Sequence, residues 1–199
     1  MDQTDLHSAA SAGDVERVKE LLKKGTNPNT QDKDGLTPLH RAAYKGHVDV
    51  VKLILERGAD PNTQDEAGDT PLHDAASWGN VDVVKLLLEH GADPNIQGEY
   101  GRTPLHTAAY KDQVDIVKLL LEHGANPNIQ DERGRTPLHM AASWGCVDVV
   151  RLLLVGGADP TVKDRDGKTP LDLAGGHREV VSVIEEWLRR GGGHSQRRL

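Results

Sequence analysis

Histidine is the residue type in this chain best suited to metal binding or proton transfer, and there are ten of them. Four, His40, His73, His106 and His139, recur every 33 residues, each closing the tetrapeptide Thr-Pro-Leu-His. A zinc ion needs all its ligands near 2 Å, whereas side chains that recur once per packed helical layer stand roughly 8–10 Å apart. The spacing therefore argues against a shared metal. His90 and His123 each precede a glycine that ends a helix, where the partial negative charge of the helix end favours an imidazolium. Other chemistry is thinner still: the chain has no Gly-x-x-x-x-Gly-Lys-[Ser/Thr] phosphate loop, no His-Glu-x-x-His metal helix and no Cys-x-x-Cys pair. Its single cysteine, Cys146, stands where sister segments carry His47 or Asn80, and reads as a partly exposed turn residue with nothing beside it to lower its pKa. No catalytic residue, cofactor or metal is expected, and the chain does not read as an enzyme.

The elements that carry these residues are set by the same period. Thr37, Thr70, Thr103 and Thr136 each open Thr-Pro-Leu-His, Thr169-Pro170-Leu171-Asp172 is a fifth copy with aspartate last, and Thr4-Asp5-Leu6-His7 lies one period before the first. Threonine caps a helix N-terminus, and proline suits the next position because its missing N–H costs nothing there. A short helix over Leu39–Tyr44 follows, kept thin by Ala42 and Ala43 and stopped at Gly46. A second helix, Val48–Arg57, carries Val48, Val50, Val51, Leu53, Ile54 and Leu55 and stops at Gly58. The stretch from Gly58 to Gly68 is rich in turn formers, including the Asp60-Pro61-Asn62 triplet whose variants recur in other units. Neither helix is long enough to persist alone in water, so stacking must stabilise both.

Motif and period together resemble the ankyrin-repeat family, and the resemblance runs to about Arg190. It implies an all-α ankyrin-repeat solenoid of stacked helix-turn-helix units with β-turn or hairpin finger loops. The units fall at an N-terminal capping repeat 1–36, internal repeats 37–69, 70–102, 103–135 and 136–168, a C-terminal capping repeat 169–190 and a flexible tail 191–199. For the motif histidine the resemblance implies a hydrogen bond near the helix start that braces the neighbouring loop. The capping assignment also rests on the residues: Arg17 and Glu20 replace Val50 and Leu53 in the first unit. Arg178 and Glu185 replace Val48 and Leu55 in the last, if its two-residue shortening falls between the helices. Each end then has one polar flank, as a finite array requires.

Positions that vary between repeats are those the fold leaves open. At the end of the first helix the pairs run Tyr44-Lys45, Ser77-Trp78, Tyr110-Lys111 and Ser143-Trp144. In natural and designed ankyrin binders the matching positions face a concave groove and are varied to obtain new binders. Tyrosine and tryptophan are over-represented among interface hot spots, so Tyr44, Lys45, Trp78, Tyr110, Lys111 and Trp144 are candidate partner contacts. Packing of these rings between adjacent first helices is the other reading. The finger tips add Asp34, Glu66 and Asp69 early and Tyr100, Arg102, Arg133 and Arg135 later, a drift toward positive charge. Two departures touch the fourth unit: Asp112 replaces the helix-ending glycine, and Gly98, in the loop leading into it, the aspartate that opens the finger turn. A left-handed backbone at Asp112 would cost about 1 kcal/mol.

Composition bounds the partners. A net charge of −7 and a pI near 5.8 disfavour nucleic acid, and the basic end Gln196-Arg197-Arg198 reads as solvated. One cysteine excludes an internal disulfide, and no signal peptide or apolar run long enough for a bilayer is present. The expectation is an intracellular, cytoplasmic, soluble monomer without membrane or nucleic-acid partners: a non-catalytic protein-protein interaction module, natural or engineered, that holds a protein or peptide in the concave groove and against the finger tips. A structural spacer or scaffold with no dedicated binding face is the alternative.

Overall fold

The computed structural model describes residues 4–192; the basic end at Gln196-Arg197-Arg198, and the rest of the expected tail from 193 onward, lie outside the described residues. The described chain contains twelve α-helices and no strand. Two compact units divide it, Met1–Glu99 and Tyr100–Leu199.

The first unit holds three helix pairs: α1 (Thr4–Ala12) with α2 (Val15–Lys23), α3 (Pro38–Lys45) with α4 (Val48–Glu56), and α5 (Pro71–Ser77) with α6 (Val81–Glu89). First helices pack in a row, α1 on α3 on α5, and second helices form a parallel row, α2 on α4 on α6. The second unit repeats the plan with α7 (Pro104–Tyr110) and α8 (Val114–Glu122), α9 (Pro137–Ser143) and α10 (Val147–Val155), and α11 (Pro170–Leu173) and α12 (Arg178–Arg189).

Each pair forms for local reasons. Thr37 Oγ1 accepts from His40 N–H while Thr37 N–H donates to His40 Nδ1 at 3.1 Å, a reciprocal cap in which histidine takes the place usually held by glutamate. The same box recurs at Thr70, Thr103 and Thr136, and at Thr169 with Asp172 as the partner. Leu39, Ala42, Ala43, Val51 and Ile54 are then wholly buried, as are their equivalents Leu105, Ala108, Ala109, Val117 and Leu120 in the second unit. Alanines let neighbouring first helices approach closely, and the leucines and valines fill the space between rows. Removing one such leucine side chain costs about 2–5 kcal/mol.

The end repeats fit their sequence. In α2 the Arg17 guanidinium pairs with Asp5 and Glu20, so the flank that is apolar elsewhere is an ion-pair surface. The shortening near Ala174 does fall between the helices: α11 has four residues, α12 starts after His177, and Arg178 and Glu185 are exposed.

Candidate functional site

Three sets of contacts position the variable face. The first runs through the histidines. His40 Nδ1 accepts from Thr37 N–H, so the ring is the neutral Nε2–H tautomer, and Nε2 donates to Asp69 O at the base of the next finger (3.0 Å). His7 reaches Leu36 O, His106 reaches Arg135 O and His139 reaches Lys168 O in the same way. Burial lowers the pKa of His40 and His139, and that of His106 to about 4. These rings are internal braces. His90 and His123 turn their Nδ1 back onto Leu86 O and Leu119 O (2.9 Å each) and close their own helices.

The second set ties the loops together. Asn62 Nδ2 donates to Gly91 O while its Oδ1 accepts from Asp93 N–H, and Asn29 and Asn128 repeat this two-way bridge. The sequence marked these asparagines as turn formers, but their reach across 29 to 31 residues is what fixes loop on loop.

Finger tips form the third set. In an ordinary tip an aspartate Oδ1 accepts from the N–H groups two and four residues on, as Asp65 does from Ala67 and Asp69. Gly98 cannot do so, and Tyr100 adopts φ 57, a left-handed conformation, in a single 3₁₀ turn over Glu99–Gly101. Asp69 explains the glycine: its Oδ1 accepts from Glu99 N–H at 2.9 Å, and a Cβ on residue 98 would lie 1.9 Å from that oxygen.

The candidate contacts sort into two groups. Tyr44, Lys45, Trp78, Lys111 and Trp144 are exposed, with Tyr110 half-buried; Trp78 and Trp144 keep 57% and 66% of their surface, too much for core residues. Yet the rings also touch: Tyr44 and Trp78 have centroids 4.7 Å apart at 58°, and Tyr110 and Trp144 lie 6.3 Å apart at 45°. Each tyrosine thus leans on the next repeat's tryptophan while the indole stays open to solvent. At the tips Asp34, Glu66, Tyr100 and Arg133 are exposed. Asp69, Arg102 and Arg135 are half-buried and engaged in the fold. Arg135 donates to the enclosed Asp131 carboxylate at 3.0 Å, and Arg102 lies 3.8 Å from it. Burial pushes the Asp131 carboxyl up, but the Arg135 and Arg133 N–H groups and the Arg135 guanidinium outweigh this and hold it below the usual carboxylate range.

Cys146 corrects the sequence reading. It is 6% exposed, not a partly exposed turn residue, because Asp112 one repeat earlier covers it. Elsewhere the residue at this position is larger and reaches back: His47 Nε2 donates to Ser11 O and Asn80 Nδ2 to Ala43 O. Burial pushes the Cys146 thiol up to about 11, and the Asp112 carboxylate adds to that. A disulfide reagent at pH 8 should label it about 100-fold more slowly in the folded chain than in urea. Equal rates would mean that the thiol is not covered.

One acidic side chain gave no signal in the sequence. Asp74 occupies the position after the motif histidine, where sister repeats carry Arg41, Thr107 and Met140. Its Oδ2 is enclosed and accepts no hydrogen bond, and burial, together with the charges of Asp69 and Asp65, pushes the carboxyl up to about 8.

The family described as ankyrin repeats (3 copies) matches residues 6–98, 94–164 and 127–186, nearly the whole chain. The chain belongs to the ankyrin-repeat family. An ankyrin repeat protein of Fowlpox virus (strain NVSL), FPV223, is 49% identical over 37 residues. That stretch is 19% of this chain and spans 26% of the viral protein's length. Ankyrin repeats are a protein-interaction fold, and the histidine braces and paired helices described above are its framework. No helix among the described residues is long and apolar enough to cross a membrane.

Proposed function

We propose that this ankyrin-repeat chain is a non-catalytic interaction module that holds a protein or peptide against its first-helix faces and finger tips. The observation that supports this best is the exposed aromatic register: each unit presents one tyrosine–tryptophan pair whose indole remains more than half accessible. Large rings left in water are costly unless something covers them, and they lose little conformational entropy when it does. The exposed tips supply charge at Asp34, Glu66 and Arg133 and a ring at Tyr100 that orient the partner.

Replacing Tyr44, Trp78, Tyr110 and Trp144 by alanine tests the reading. Pull-down with the intact chain and with the four-fold variant, each checked by circular dichroism, should show partner retention falling by about 100-fold or more. Undiminished retention by a folded variant would favour the spacer reading, in which the rigid stack matters and no face does.

A further inference from the structure

The first unit has an electrostatic character that the second lacks. Residues 1–99 contain ten Lys and Arg against eighteen Asp and Glu, a net −8, whereas residues 100–199 contain fourteen against thirteen. Around Asp74 the acids Asp65 and Asp69 act on the carboxyl against Arg41. Asp74 lies on α5 and Trp78 is its C-cap four residues on, with the Trp78 N–H donating to Asp74 O at 3.2 Å. Arg41 and Tyr44 are three apart on α3, which packs against α5. Arg41 is the cation nearest in kind to a partner for Asp74, but its Nη2 donates to Asp32 Oδ2 at 2.7 Å. Asp65 and Asp69 add negative charge at the finger base, and Asp34 and Glu66 stand exposed above, their tips joined by the Glu66 N–H to Asp34 O bond.

Resting on the reading of the first-helix faces as a binding surface, we infer that the Tyr44–Trp78 face takes a basic segment of a partner protein, with an arginine or lysine head set beside Asp74 and its stem across the Trp78 ring. Asp74 is half-buried as a residue and its Oδ2 is enclosed, so a cation meets the carboxyl at Oδ1. The aromatic pair is suited to this use: Lys45 Nζ already stands 5.6 Å from the Tyr44 ring centroid, the geometry of a cation held over a π face. An arginine plane stacks on such rings better than an ammonium does. Burial first, and then the Asp69 and Asp65 charges, push this carboxyl up against the opposing pull of Arg41.

The test uses the full chain labelled with ¹⁵N, whose three tryptophans, Trp78, Trp144 and Trp187, give separate indole N–H signals. Acetyl-hexaarginine amide is titrated in, with acetyl-hexaglutamate amide as the control. Hexaarginine should shift the Trp78 signal saturably and Trp144 far less, and hexaglutamate should leave Trp78 unmoved. Asp74→Asn should weaken hexaarginine binding about five-fold or more, while Asp49→Asn, at an exposed acid in the first turn of α4, should change it less than two-fold. Because Asp74→Asn removes a carboxyl whose enclosed Oδ2 accepts no hydrogen bond, its melting temperature should not fall, which separates lost binding from lost fold. Equal weakening by the two variants, or no response at Trp78, overturns the inference. A natural partner retained through the aromatic rings but indifferent to Asp74→Asn would overturn the basic segment and leave the interaction module standing. Retention that survives removal of the rings would overturn the module itself.

Discussion

Taking this protein from pH 6.5 to pH 4 should remove about 3 kcal/mol of stability through His106 alone, because that ring has a folded pKa of about 4 against about 6.5 in the unfolded chain. Between those values the unfolded state binds a proton that the folded state refuses. Stability is therefore fully present above pH 6.5, falls as the pH drops, and levels off below about pH 4. The structural cause is double use of one neutral ring: Nδ1 accepts from Thr103 N–H, and Nε2 donates to Arg135 O at 2.9 Å. A proton on Nδ1 would set N–H against N–H and open the helix cap and the finger base together. His40 and His139 have lowered pKa values for the same reason and add to the loss. Asp74 acts in the opposite sense, since its raised pKa means that the folded state binds the extra proton, so acidification from about 8 downward favours folding there. Urea denaturation of Asp74→Asn at pH 7.5, 6, 5 and 4 removes the opposing Asp74 contribution, and the decline between pH 6.5 and 5, above the carboxylate range, reads the histidines. That variant should show a steeper acid decline than the parent. A flat or rising profile between pH 6.5 and 4 in Asp74→Asn would refute the account.

Which parts of this structure were legible in the sequence follows from how far each contact reaches. Thr37, Pro38, Leu39 and His40 encode a cap, a first turn, a core residue and a brace within four positions; the cap, turn and core roles recur at each full copy of the motif, and the brace is seen at His40, His106 and His139. The aromatic register was legible too, because Tyr44 and Tyr110 share one repeat position and Trp78 and Trp144 share the next. That each tyrosine would lean on the next tryptophan and still leave it exposed was not, since ring tilt depends on the approach of two helices. Asp69 and Arg135 read as finger-tip charges, but Asp69 is engaged by a neighbouring tip's N–H and Arg135 by the enclosed Asp131. Asp74 was silent for a different reason: its position carries Arg41, Thr107 and Met140 elsewhere, so residue type there gives no pattern from which burial can be read.

The two departures at Gly98 and Asp112, read separately in the sequence, each have a compensating neighbour about one repeat away, and Asp112 with Cys146 makes the sharper test. A Cβ built on Gly13 would lie 2.8 Å from His47 Nδ1, one on Gly46 would lie 2.8 Å from Asn80 Oδ1, and one on Gly145 would lie 2.5 Å from His177 Nδ1. A long side chain at the second-helix N-cap therefore requires glycine at the turn one repeat earlier. Asp112 carries its Cβ at that turn with φ 57, a region aspartate tolerates better than most residues, and the small Cys146 gives it room. Replacing Cys146 by histidine, the residue at positions 47 and 177, should thus cost about 3 kcal/mol through overpacking. The single change Asp112→Gly should lie within about 1 kcal/mol of the parent, since relief of the left-handed aspartate is offset by the exposed edge of Cys146. The double variant should recover parental stability or exceed it, because the new imidazole can reach back to a first-helix carbonyl as His47 does to Ser11 O. Urea denaturation of the four chains gives the coupling directly, expected at about 2 kcal/mol or more. Additive single effects would show that the two positions differ from their sisters independently, and that the cover over the thiol is incidental to the fold.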